Sequence, residues 1–133
     1  MEIGLKITNQ FIIDENVYNG FKSIFRDENI LHVDKDYAIS KGFKNKVMYG
    51  NILNGFLSYF VGELLPIKNV IIHKQNIAFH KPCYLNDIII FDAVLKEKYD
   101  SVDAFLFKYK FNKEGKLIAK GNIQIGLLWK RYS

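Results

Sequence analysis

Nine consecutive residues, Arg26-Asp27-Glu28-Asn29-Ile30-Leu31-His32-Val33-Asp34, hold three acids, an amide and an imidazole. They lie between the apolar segment Phe21–Phe25 and a helix expected from Lys35. Asp27 and His32 are five positions apart, which does not suit an i,i+4 pair on a regular helix. The spacing therefore predicts a turn or a broken helix that curls the two side chains toward one point. A carboxylate and an imidazole converging on one water can orient it, take its proton and return a proton elsewhere. The competing reading is structural: Asp34 caps a helix, and Asp27 and Asn29 sit in turns.

The elements around this segment must position it. Leu5–Ile13 reads as a first strand or extended lead-in. Asp14-Glu15-Asn16 then offers a cap for a helix carrying Val17, Phe21, Ile24 and Phe25 at helical spacing. A short helix is expected over Asp34–Lys41, stopped by Gly42, followed by a basic loop over Phe43–Val47. From Met48 or Gly50 to Leu65, the residues Ile52, Leu53, Phe56, Leu57, Phe60, Val61, Leu64 and Leu65 recur every three to four positions. This predicts a long helix wrapped by a sheet and ended by Pro66. Beyond it the period becomes strand-like: Val70–Phe79, Asp87–Lys98, Val102–Asn112 and Lys116–Trp129, with a hairpin turn at Lys113-Glu114-Gly115 and another at Asp100-Ser101. The expected fold is α+β: a single hot-dog domain over residues 1–133, an antiparallel sheet wrapped around a long central helix.

Composition narrows the function classes. The chain has 133 residues, 49% hydrophobic and 25% charged, enough for one domain with a real core and too apolar for disorder. The net charge of +5 comes without a dense Lys/Arg run, so a nucleic-acid partner is not expected. Lys41, Lys44 and Lys46 form only a thin cluster, read as solvated and, secondarily, as a landing zone for phosphates or an acidic protein. Cys83 is the only cysteine, which excludes a disulfide framework, and it is expected to be buried or half-buried. His32, His73 and His80 lack ligand spacing, so no metal is expected. His73 is read as packed or edge-facing, or lining an acyl tunnel; His80 as an exposed loop residue; Trp129 as packed on the sheet. Met1–Lys6 does not read as a signal peptide and no apolar run has membrane-spanning length, so the chain reads as cytoplasmic.

In this order and spacing, the chain resembles the MaoC-like (R)-specific enoyl-CoA hydratase family. That family carries Asp-x-Asn-Pro-x-His-x-Asp, here Asp27-Glu28-Asn29-Ile30-Leu31-His32-Val33-Asp34. The match continues through Tyr37-Ala38, Gly42-Phe43, Tyr49-Gly50 (His-Gly in the family), Ser58, Leu65-Pro66, Phe79-His80-Lys81-Pro82 and Asn86-Asp87. Three departures stand out: Ile30 for the motif proline, Tyr49 for the histidine before Gly50, and Ile67 for the glycine after Leu65-Pro66.

The resemblance implies hydration of a trans-2-enoyl thioester or the reverse dehydration, with Asp27 and His32 as the catalytic pair. The Gly50 N–H would stabilise the enolate oxygen, and Asn29, Ser58 and Tyr49 would support the site. It implies no cofactor: coenzyme A or an acyl carrier protein belongs to the substrate. It also implies a homodimer, with the acyl pocket near the subunit interface. Phe56, Phe60, Ile71, His73 and Phe79 are bulky candidates for the acyl pocket wall; if they converge, they favour a short chain such as crotonyl. Two other readings stay open. One is a hot-dog thioesterase, for which Glu63 is the only acid in the long helix. The other is a non-catalytic homologue that binds acyl thioesters.

Overall fold

A computed structural model describes residues 1–128; Trp129, expected on the sheet, lies outside them. The strands are β1 (Lys6–Ile12), β2 (Val70–Gln75), β3 (Ala78–Phe79), β4 (Ile88–Tyr99), β5 (Ala104–Lys113) and β6 (Lys116–Leu127). The helices are α1 (Glu15–Phe25), α2 (Ile30–Val33), α3 (Lys35–Ser40) and α4 (Asn51–Tyr59). A π-helical turn over Phe60–Leu64 continues α4. All strand pairings are antiparallel, in the order β1-β4-β5-β6-β2, with β3 also on β6. The expected arrangement, a sheet wrapped around one long helix, is the observed one.

Strand alternation gives the sheet its inner face. Ile89, Phe91, Ala93 and Leu95 of β4, Phe105, Phe107, Tyr109 and Phe111 of β5, and Ile123 and Ile125 of β6 are all buried. Against them pack Ile52, Leu53, Leu57, Phe60 and Val61. Phe60 sits at the centre, its ring 5.0 Å from that of Phe91 and 5.2 Å from that of Phe107. Removing a buried aromatic of this kind costs about 3–5 kcal/mol. The Leu65 N–H bonds to Phe60 O at 3.2 Å, closing the widened last turn before Pro66. The other side of α4 is open: Asn51, Gly55, Ser58, Gly62 and Glu63 are exposed.

Local signals account for the boundaries. The Asp14 carboxylate accepts the Val17 N–H at 2.9 Å and caps α1. Gly42, at φ +95°, ends α3. Glu114 and Gly115 both have positive φ, as a two-residue hairpin turn requires.

The expected single strand over Val70–Phe79 is a correction. β2 bulges between Ile72 and Lys74, and the chain breaks at Asn76 before β3. The Asn76 carbonyl turns inward, where the Tyr109 hydroxyl donates to it at 2.5 Å. It sits over Gly121, where a Cβ would collide with that carbonyl oxygen. The face assignment also differs. Val70 and Ile72 are half-buried, while Ile71 and His73 are exposed, because strand residues one apart point to opposite faces.

Gly121→Ala is therefore expected to destabilise the protein by about 2–3 kcal/mol. Urea unfolding followed by circular dichroism measures it; a midpoint equal to wild type would refute the close approach of Asn76 and Gly121.

Candidate active site

The polar segment is laid out by its own side chains. Arg26 takes a left-handed conformation, φ +55°, and ends α1. An Asp27 carboxylate oxygen accepts the Asn29 N–H at 3.0 Å. The Asn29 side-chain oxygen accepts the Leu31 N–H at 3.0 Å and caps α2. Asp34 accepts the Tyr37 N–H at 3.0 Å and caps α3. The structural reading of Asp34 is thus realised. Each cap satisfies a backbone donor that the short helices leave over.

His32 lies on the single turn of α2. Its Nδ1 is 2.7 Å from the Val47 carbonyl oxygen. A carbonyl can only accept, so Nδ1 carries a proton, and the neutral ring presents the Nε2 lone pair. The Tyr18 hydroxyl donates to the His32 carbonyl at 2.6 Å. The Tyr49 hydroxyl donates to the Asp27 carbonyl, and its ring centroid lies 4.4 Å from that of His32. One tyrosine therefore holds the backbone of each candidate residue. The two tyrosine rings lie 5.7 Å apart, and Phe21 stacks on Tyr49 at 4.7 Å. Burial, reinforced by Tyr18, Asp27 and Glu28, pushes the Tyr49 phenol up to about 12, so it remains a donor at neutral pH.

Gly50 precedes α4, whose N-terminus has no side-chain cap. Backbone N–H groups at that end face outward with the positive end of the helix dipole. A Cβ on Gly50 would come within 3.1 Å of the Phe79 ring. Phe79 reaches this position because β3 pairs with β6.

A cleft of about 310 Å³ is lined by His32, Tyr49, Gly50 and Phe79, together with Phe43, His80, Lys81 and Cys83. Asp27 lines a separate cavity of about 550 Å³ with Phe21, Phe25, Asn51, Asn54 and Gly55. Gly50 lines the first and its neighbour Asn51 the second, and Tyr49 of the first is bonded to the Asp27 backbone.

The five expected pocket-wall residues do not converge. Only Phe79 lines the His32 cleft. Phe56 stacks on Phe11 at 4.3 Å and lines a cavity further along α4. Phe60 is fully buried in the core. Ile71 and His73 lie on the outer sheet face, where the His73 ring covers Gly126. Ser58 is exposed and lines none of these cavities. Glu63 is exposed in the turn that ends the long helix, far along the chain from Gly50. His80 and Lys81, read from the sequence as loop residues, line the cleft through the β3 pairing that no local pattern announces. Cys83 is buried and its thiol is pushed up to about 11, chiefly by desolvation, so it stays protonated and unreactive at neutral pH. Among the described residues, no three His, Cys, Asp or Glu side chains come together to hold a metal ion.

No protein-family model matches the chain. It is 25% identical over 105 residues to the (R)-specific enoyl-CoA hydratase of Rhodospirillum rubrum, covering 79% of this chain and 73% of that one. It is 27% identical over 108 residues to the (R)-specific enoyl-CoA hydratase of Aeromonas caviae, covering 80% and 81%. At this distance the chain is similar to the MaoC-like (R)-specific enoyl-CoA hydratase family. The solved (R)-hydratase from A. caviae involved in PHA biosynthesis superposes with a TM-score of 0.88 over 96% of this chain and 98% of that one, at 21% identity, which shows the shared hot-dog fold. Against the family pattern, Tyr49 stands where histidine is expected, and its hydroxyl bond to the Asp27 carbonyl gives the substitution a structural role.

Tyr49→Phe leaves a half-buried carbonyl without its donor. It is expected to cost about 1–3 kcal/mol, read as a lower urea midpoint. An unchanged midpoint would contradict the clamp.

Proposed function

We propose that the protein adds water across the double bond of trans-2-enoyl thioesters to give (R)-3-hydroxyacyl thioesters, or runs the reverse dehydration. The observation that carries this reading is the His32 imidazole on one cleft with Gly50, the uncapped start of α4, with Tyr49 of that cleft bonded to the Asp27 backbone. The hydratase names of the two sequence relatives support the reaction class.

In this reading, the thioester carbonyl lies against the Gly50 N–H and the double bond sits beside the Asp27–His32 pair. The water donates one hydrogen bond to the free Asp27 carboxylate oxygen and one to His32 Nε2. As its oxygen bonds to the β-carbon, the pair takes a proton from it. The π electrons move through the α-carbon onto the thioester oxygen as an enolate. The Gly50 N–H and the helix dipole stabilise that charge. The pair then returns a proton to the α-carbon on the same face, so water is added and no group is consumed. Gly50 suits this position because a side chain would press on Phe79 and narrow the thioester's approach.

The carrier would be coenzyme A or an acyl carrier protein, with Lys81 at the cleft offering a cation to its phosphates. The chain would act as a homodimer, as the family resemblance implies.

Asp27→Asn and His32→Ala are each expected to lower kcat on enoyl-CoA substrates by at least about 100-fold, with unchanged circular dichroism. The assay is loss of the conjugated-thioester absorbance. Wild-type turnover that survives both substitutions would reject this pair.

A further inference from the structure

We propose that the acyl tail of the substrate lies in an apolar trough along the exposed side of α4, and that Gly55 keeps this trough open to medium-length chains. The inference rests on the enoyl-thioester reading above.

The trough starts at the reacting end. The cavity that Asp27 lines continues past Asn51 and Asn54 to Gly55 and Phe21. Gly55 and Phe21 also line a second cavity, of about 660 Å³, whose walls include Phe11, Ile12, Phe56 and Tyr59. The two cavities therefore join at Gly55 and Phe21. A carboxylate and two amides stand where the enoyl carbons would react; aromatic rings line both cavities, and Asn9, Gln10 and Asp14 also line the second. A hydrocarbon tail leaving the reacting end would pass the rings of Phe21, Phe11, Phe56 and Tyr59.

Gly55 stands where the two cavities share their lining. Glycine is unfavourable inside a helix, so its presence there asks for a reason. A Cβ built on it meets nothing within 4 Å, so the missing side chain leaves open space rather than relieving a clash. At the far end Tyr59 is 48% exposed and Ile12 is 44% exposed, apolar surface that a hydrocarbon chain would cover. From Asn51 to Tyr59 the helix rises about 12 Å. That is the extended length of a chain of roughly eight to ten carbons at ordinary carbon–carbon spacing. With Ile71 and His73 on the outer sheet face and Phe60 in the core, these expected wall residues do not block a chain of this length.

The test compares crotonyl-, trans-2-octenoyl- and trans-2-decenoyl-CoA on wild type and Gly55→Leu. Leucine favours the helix and would fill the junction. Wild type is expected to show kcat/KM on the longer substrates at least tenfold above that on crotonyl-CoA. In Gly55→Leu the decenoyl-to-crotonyl ratio is expected to fall at least tenfold. A wild-type preference for crotonyl-CoA overturns the proposal, as does an unchanged ratio in the variant. Equal losses on all three substrates, accompanied by a shift in sedimentation, also overturn it and assign the trough to a second copy of the chain. No turnover of any substrate rejects the hydratase reading separately, and calorimetry then decides the trough. Decanoyl-CoA bound at least tenfold more tightly than butyryl-CoA, with the difference lost in Gly55→Leu, upholds it; equal affinities overturn it.

Discussion

The contact of Phe60 with Phe91 and Phe107 holds the long helix in the curl of the sheet, and the rest of the molecule depends on it. Leu53, Leu57 and Val61 extend the same buried side toward β4, β5 and β6. A helix held this way along its inner face cannot shift to satisfy its own N-terminus. Its first N–H groups and the positive end of its dipole therefore stay at the edge of the fold. Gly50 marks that edge, and a Cβ there would come within 3.1 Å of the Phe79 ring.

The polar segment between α1 and α3 serves two demands at once. Its carboxylates and amide spend hydrogen bonds on the backbone: Asp27 on Asn29, Asn29 on Leu31, and Asp34 on Tyr37. A carboxylate has two oxygens, so the cap on Asn29 leaves Asp27 a second acceptor. The capping and catalytic readings of the residue are compatible. The two candidate side chains are steadied from behind by Tyr18 and Tyr49, whose hydroxyls hold the carbonyls of His32 and Asp27. The Val47 carbonyl fixes the tautomer of His32. These contacts reach across the chain from α1 and from the residues leading into α4, so the geometry of the segment is set by the fold rather than by its local sequence.

What was legible in the sequence follows from this. The period of α4, the Asp14 cap, the Gly42 stop and the Glu114-Gly115 turn are written in neighbouring residues, and the structure contains each of them. Asn86 has φ +69°, a conformation that asparagine tolerates. The break at Asn76 was not legible, because it depends on Tyr109 and Gly121, which are distant in sequence. The side-chain parity of β2 was misassigned for a related reason: Ile71-Ile72 and the flanking residues suit either face, and pairing with β6 decides between them. The pairing of β3 with β6 brings Phe79, His80 and Lys81 to the cleft at the helix start, so composition could name these residues but not gather them into one cleft.

The central claim is that one site delivers both parts of a water molecule to one face of the enoyl thioester. The most direct measurement is hydration in heavy water, with the configuration of both new centres assigned by nuclear magnetic resonance. The account predicts a single (R)-3-hydroxyacyl product carrying one deuterium at the α-carbon, added from the same face as the hydroxyl. An (S) product, or deuterium added from the opposite face, would contradict it.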